Sequence, residues 1–243
     1  MESKSLEPRS IHIPYQVDPA SNKSHYYELM WKTIGLGLLK EERQDFKGSS
    51  VLDFGCGRGE SMKIASEMGM QPTGTDTDPE CVHLSSKYGP TCLLDTEDPL
   101  LQFGAQSFDN VVCFHVLEHV PRPKDTLIAL RKITRRNLIV AVPNLAVFGD
   151  LLRPNRWLGP VNEGHLQSWD HSHFRNLAEN HCGLRVVRWG FDAVRIPPFT
   201  WWIQRFIGNK AAIFLEMHVL RRIYPYACMS VMALMQPIDS EQA

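Results

Sequence analysis

Apolar residues along this chain fall into short uncharged runs that alternate with stretches of helical spacing. The runs near 50–54, 72–75, 91–94, 109–114 and 137–142 have strand length and read as strands buried on both faces. Between them, 59–68, 79–87 and 124–134 repeat at helical period. That alternation predicts right-handed crossovers and a parallel sheet covered by helices on both sides. An earlier helix is predicted from Ser24 to Lys40, covering one side of a cleft and weakened by Gly35 and Gly37. Farther on, Asp170 reads as an N-cap, Phe174 and Leu177 keep helical spacing, and Gly183 stops the helix before a sixth strand. A last strand is predicted at 226–235.

This pattern divides the chain into a flexible arm, 1–23, and a single domain, 24–243, with a core at 48–194 and a C-terminal amphipathic helix and last strand at 196–236. The connection from Pro143 to Gly164 is 22 residues long, a length that usually carries function or hides a short helix. Residues 199–224 are rich in Trp, Phe, Ile and Leu, with Arg205, Lys210, Arg221 and Arg222 among them. The expectation is an amphipathic helix packed on the sheet. The other reading is a surface for peripheral membrane, lipid-like substrate or dimer contact.

Composition removes several classes. Apolar residues make up 43% and charged ones 22%, the formal net charge is −1, and the Arg/Lys pairs at 131–132, 135–136 and 221–222 are short and scattered, so no nucleic-acid partner is expected. No run of about eighteen apolar residues predicts a membrane span. The N-terminus lacks the apolar core of a secretion signal. Six cysteines without C-x-x-C pairing suit reduced thiols and a cytoplasmic setting.

The densest chemistry lies at 51–59, VLDFGCGRG, a strand running into a loop with glycines at 55, 57 and 59. Such a loop lets backbone approach a ligand closely. Asp76 then closes the next strand, where a carboxylate can take both hydroxyls of a ribose. Together they predict a pocket for an adenosine-containing cofactor. A dinucleotide fingerprint would need its third glycine at position 60, where the chain has Glu60, and a carboxylate there opposes a pyrophosphate.

The loop D-x-G-x-G-x-G, from Asp53 through Gly59, resembles the first motif of class I S-adenosylmethionine-dependent methyltransferases. Residues 91–98, TCLLDTED, and 108–121, FDNVVCFHVLEHVP, resemble that family's third- and fourth-strand segments, the latter in its small-molecule branch. The resemblance, spanning roughly 48–190, extends to methyltransferase domains of the ubiquinone-biosynthesis type. It implies a Rossmann-like, doubly wound, seven-stranded, mostly parallel α/β sheet and S-adenosyl-L-methionine as cofactor. It assigns Asp53, Gly55, Cys56 and Gly57 to the methionyl part, Asp76 to the ribose, and Asp95 and Thr96 to the adenine, with Thr77 also at the cofactor and His115 lining the methionine side.

Open α/β sheets bind ligands beyond the carboxyl ends of their strands. His115, His119 and His165 are therefore the candidate bases for removing a proton from the acceptor. Structural roles compete: His115 lining the cofactor through its backbone, His119 anchoring a loop. The triplet His115-x-x-Glu118-His119 is similar to the E-x-x-E-H arrangement implicated in divalent-cation binding in the ubiquinone-type enzymes, but His stands at its first position and no metal is expected. The expected reaction is O-methylation of a small molecule, sugar or lipid-linked intermediate. The alternative is a partner protein of the same fold without transferase activity of its own. A nicotinamide-dependent oxidoreductase is disfavoured by Glu60.

Overall fold

The computed structural model describes residues 22–41, 46–147 and 163–238. Most of the arm and of the 143–164 connection, including Trp157, lies outside them. Seven strands form one sheet in the order β3-β2-β1-β4-β5-β7-β6. β1 (Ser50–Phe54), β2 (Gln71–Asp76), β3 (Thr91–Leu93), β4 (Phe108–Phe114) and β5 (Thr134–Pro143) are parallel neighbours, and β7 (Ser230–Pro237) runs antiparallel between β5 and β6 (Leu184–Gly190). The chain order reverses between β1 and β4, and this switch point opens a crevice at the carboxyl edge.

Among the described residues the α-helices are α1 (Asn22–Glu41), α2 (Glu60–Glu67), α3 (Pro79–Ser85), α4 (Pro99–Phe103), α5 (Pro123–Ile133), α6 (His171–Asn176), α7 (Phe199–Phe206) and α8 (Asn209–Phe214), with π-helical turns extending α6 and α8 and a last helical turn, Arg221–Ile223, completing the extension of α8. One sheet face buries Leu52, Val111, Leu138 and Val140 beneath Leu127, Leu130 and Phe174 of α5 and α6. The other buries Val51, Val112, Ile139 and Leu234 beneath Leu36 and Leu39 of α1. Gly35, expected to weaken α1, lets it close on the sheet: a Cβ there would lie 2.6 Å from the Phe114 ring.

The Asp170 cap holds as expected, its side chain accepting from the His173 amide at 2.8 Å. Two expectations change. The last strand begins at Ser230 because Pro225–Ala227 forms a 3-10 turn. The 199–224 segment packs on the fold only through its second half, where Ala212, Met217 and Leu220 are buried; in α7 only Thr200 is. Trp169 belongs to the core, whereas Trp201 and Trp202 stand in solvent.

The loop after β1 sets its own backbone demands. Gly59 starts α2 at φ +85°, and a Cβ there would lie 2.7 Å from the Tyr88 ring and 3.0 Å from Ser85 Cα. A left-handed non-glycine residue costs roughly 1–2 kcal/mol before any overlap. Gly59→Ala is therefore expected to destabilise the fold by at least about 2 kcal/mol, lowering Tm by several degrees for a domain of this size. An unchanged calorimetric Tm would refute this account of the loop.

Candidate active site

The glycine loop turns its amides inward. The amides of Gly55 and Cys56 both donate to the Thr75 carbonyl at 2.9 Å, that of Gly57 to Asp76 Oδ2 at 2.9 Å, and that of Gly59 to the Cys56 carbonyl at 2.9 Å. A phosphate would need these N–H groups free. Gly57 instead faces open space at φ +53°, and beneath the loop lies the carboxylate of Asp53. Its Oδ2 is buried without a hydrogen-bond partner, an arrangement that calls for a cation. A ligand with an ammonium group fits here and a pyrophosphate does not.

Burial pushes the Asp53 carboxyl up to about 7; the nearby Lys32 opposes this, while Asp76 and Glu60 add to it. Lys32, on α1, is itself buried and bonded to Glu60 at 3.0 Å and Glu28 at 3.1 Å. Burial alone would lower its pKa, but Glu60, Glu28 and Asp53 hold it above its ordinary value. Glu60 pairs with Lys32 and so helps seat α1 on the edge of the crevice. Cys56 is buried beside Ser85, Sγ to Oγ 3.3 Å, and burial pushes its thiol up to about 12, so it is a packing thiol.

Asp76 closes β2 with Oδ1 accepting from the Asp78 amide at 3.0 Å and Oδ2 from Gly57. Each oxygen keeps a lone pair for a ligand. Thr77 and Asp95 are exposed at the ends of β2 and β3. The Thr96 hydroxyl accepts from the Asp98 amide at 3.2 Å, which ties it to the turn opening α4.

At the end of β4, His115 adopts φ +56° and is held from three sides. Its amide donates to the Ala141 carbonyl at 2.8 Å, Nδ1 meets Glu118 Oε1 at 3.1 Å, and Nε2 meets Ser230 Oγ at 3.3 Å. The Ser230 hydroxyl donates to the buried Asp192 carboxylate at 2.7 Å. Trp31 of α1 packs on the ring, with centroids 4.6 Å apart. Both imidazole nitrogens are thus engaged within the protein.

His119 and His165 meet across the same mouth, ring centroids 4.9 Å apart. His119 Nδ1 lies 2.9 Å from the Gly164 carbonyl. A carbonyl only accepts, so in the neutral ring Nδ1 carries the proton and Nε2 the lone pair. His165 sits below its ordinary pKa because burial outweighs the attraction of Glu118. The Leu166 amide donates to the Glu118 carbonyl at 2.7 Å, fixing this loop against the strand end. Glu118 is fully buried, with Oε2 unpartnered. Among the described residues, Glu118, His119 and His165 bring ligand atoms within 4.8 Å of one another, enough to hold a cation.

The structure therefore gathers Asp53, Gly55, Cys56, Gly57 and Asp76 at one end of the crevice and His115, His119 and His165 at the other. Asp95 and Thr96 stand on the β3 side. Lys32, Asp192 and Ser230 were not foreseen from sequence. The place of Lys32 in the mostly apolar run 29–39 is a faint signal for the first. The other two depend on a contact across 38 residues of chain that leaves no local mark.

A seven-stranded sheet with this order, its last strand antiparallel and a glycine loop after β1, is the methyltransferase variant of the Rossmann-like fold. A magnesium protoporphyrin IX methyltransferase from Synechocystis PCC 6803 with bound SAH superposes with TM-score 0.63 at 17% identity, covering 91% of this chain and 89% of that one. A SAM-dependent methyltransferase from Archaeoglobus fulgidus gives 0.57 at 18%, covering 87% and 98%. The chain belongs to the methyltransferase domain family, whose profile matches residues 25–188. Among curated proteins it is similar to the mitochondrial ubiquinone biosynthesis O-methyltransferase of Schizosaccharomyces pombe, 31% identical over 109 residues, 40% of this chain and 38% of that protein. The Idiomarina loihiensis ubiquinone biosynthesis O-methyltransferase is 29% identical over 145 residues, 56% and 57%. The chain thus spans between about two fifths and just over half the length of these curated relatives.

Proposed function

We propose that this protein is an S-adenosyl-L-methionine-dependent methyltransferase acting on a hydroxyl oxygen of a small or lipid-linked acceptor. The observation that carries the reading is the polarity of the β1 loop: amides turned inward and, beneath them, a buried carboxylate with one oxygen unpartnered. Asp53 and the loop around Gly55, Cys56 and Gly57 hold the cofactor's amino-acid end. Asp76, with Thr77, takes the ribose, and Asp95 and Thr96 face the adenine. When bound, the cofactor supplies an activated methyl on a sulfonium, a very good leaving group.

The protein's part is alignment and proton removal. His119 Nε2, whose lone pair the Gly164 contact leaves free, would take the hydroxyl proton of the acceptor as its oxygen takes up the methyl group. His165, facing it, completes the wall of the acceptor mouth. His115, with both nitrogens engaged, positions Glu118 and lines the methionine side. The ubiquinone biosynthesis O-methyltransferases among the relatives support an oxygen acceptor. No helix among the described residues is long and apolar enough to cross a membrane, and the unpaired cysteines suit the reducing cytoplasm.

The test is calorimetric titration with S-adenosylmethionine, S-adenosylhomocysteine and NAD, followed by labelled methyl transfer to a panel of phenols and catechols. Saturable binding of the first two with transfer to a hydroxyl is expected. Binding of NAD alone would overturn the reading. Cofactor binding without transfer, together with a copurifying enzyme, would favour the partner-protein alternative.

The Asp53 carboxyl provides a further check. Its folded value lies above the ordinary carboxylate range. Stability that it contributes below about pH 4 is therefore lost as pH rises through about 7 in the cofactor-free protein. An ammonium beside it reverses that penalty by stabilising the carboxylate. Cofactor binding at pH 7 is then expected to release about half a proton, and affinity should increase between pH 6 and 8. Titrations in buffers of different ionisation enthalpy measure this directly, and a binding enthalpy independent of buffer would refute it.

A further inference from the structure

α7 leaves its aromatic side in water. Trp201 is 62% exposed and Phe206 74%, Trp202 and Ile207 stand beside them, and Phe214 and Ile223 continue the patch along the next helix and its extension. An apolar groove of about 550 Å³ runs between α7 and the Ile196–Phe199 segment. Surface patches of this kind mark an interaction.

The charge on this face identifies the partner. Residues 193–238 carry Arg195, Arg205, Lys210, Arg221 and Arg222 against a single carboxylate, Glu216, in a chain whose overall charge is −1. Glu216 is buried, where Tyr27 donates to it. Arg205, Lys210 and Arg222 are exposed, and none forms an ion pair with a described carboxylate. A second copy docking through a two-fold axis would set this face against itself and bring like charges together. Bilayer interfaces combine what this face presents, aromatic rings at the headgroup level and lysine or arginine beside anionic lipid.

The face also has a defined place relative to the site. β6 and β5 both run antiparallel to β7, so the segment leaving Gly190 emerges at the carboxyl edge where the crevice opens. It is tied to the site through Asp192, whose carboxylate binds Ser230, which in turn meets His115. Asn144, after β5, donates to the Tyr226 carbonyl at 3.0 Å and the Cys228 carbonyl at 2.7 Å.

We propose that α7 and the groove beside it dock this protein on an anionic lipid bilayer, with the acceptor mouth beside the lipid surface. That the mouth takes its acceptor from the bilayer rests on the methyltransferase reading. The docking itself does not, and its test needs neither cofactor nor acceptor. The full chain is floated with vesicles of phosphatidylcholine alone and of phosphatidylcholine with an equal part of phosphatidylglycerol, at 50 and 500 mM salt. Partitioning onto the anionic vesicles is expected to exceed that onto the neutral ones about tenfold or more, and to fall at high salt. Trp201→Glu with Phe206→Glu should abolish it, and Arg205→Glu with Lys210→Glu should reduce it to the neutral level. All four side chains are exposed, and an unchanged thermal melting temperature in the variants reports an intact fold. Failure to float with anionic vesicles would overturn the proposal, as would flotation unaffected by Trp201→Glu with Phe206→Glu. A wild-type dimer that these two substitutions dissociate, without vesicle binding, would assign the face to a second copy instead.

Discussion

Asp76→Ala is expected to weaken S-adenosylmethionine binding by about 5- to 150-fold, the loss of one or two charged hydrogen bonds at roughly 1–3 kcal/mol. The carboxylate is aimed before any ligand arrives. The Gly57 and Asp78 amides hold one oxygen each, at 2.9 and 3.0 Å, so neither has to be oriented at the moment of binding. Alanine removes the proposed ribose acceptor and also frees the Gly57 amide, loosening the loop beside it. Asp76→Asn keeps the shape and one acceptor oxygen, and should fall between the two. Calorimetric titration measures the affinities, and thermal melting separates lost contacts from lost fold. A folded Asp76→Ala protein with unchanged affinity would overturn the ribose assignment.

The parallel half of the sheet was legible because its central strands are buried on both faces. Runs such as Val51–Leu52 and Val111–Val112–Cys113 have no other place to go. α4 escaped notice because PLLQF is a single turn, too short for periodicity to register, although Asp98 caps it by accepting from the Leu100 amide at 3.0 Å. Gly35 reads in sequence as a weak point of α1, whereas in three dimensions it is where the helix meets Phe114. The difference is one of information: propensity is local, and close approach is not. The same holds for α7, whose apolar residues suggested packing on the sheet but face solvent. Periodicity reveals an amphipathic side without saying what covers it.

The clustering of Asp53, the glycine loop and Asp76, where we place the cofactor, was legible for a related reason. Asp53, the glycines and Asp76 lie within one strand–loop–helix–strand unit, where spacing constrains position. The acceptor end is assembled from α1, β4, the loop around His165 and the start of β7. The roles of its histidines depend on what each nitrogen touches across those elements. Sequence offers His115, His119 and His165 alike as candidate bases. The contacts of His115 with Glu118 and Ser230 commit both its nitrogens, while the Gly164 carbonyl leaves the His119 lone pair on Nε2.

That assignment leads to the largest expected effect on turnover. His119→Ala should lower kcat by about 10²–10⁴-fold, the usual contribution of a positioned general base, while cofactor affinity changes little. The defect should also depend on the acceptor. A hydroxyl acidic enough to ionise in solution, as in a nitrophenol, needs no base, so the penalty should shrink sharply for it. An ordinary catechol or alcohol should bear the full loss. His165→Ala offers the contrast: without the Gly164 contact that fixes the tautomer of His119, it should have the smaller effect. A structural role for His119, anchoring the loop through Gly164, would lower the rate equally for all acceptors and reduce Tm. Single-turnover rates across acceptors of graded acidity separate the two roles. A rate loss that does not vary with acceptor acidity would remove His119 from the chemistry and leave it as a loop anchor.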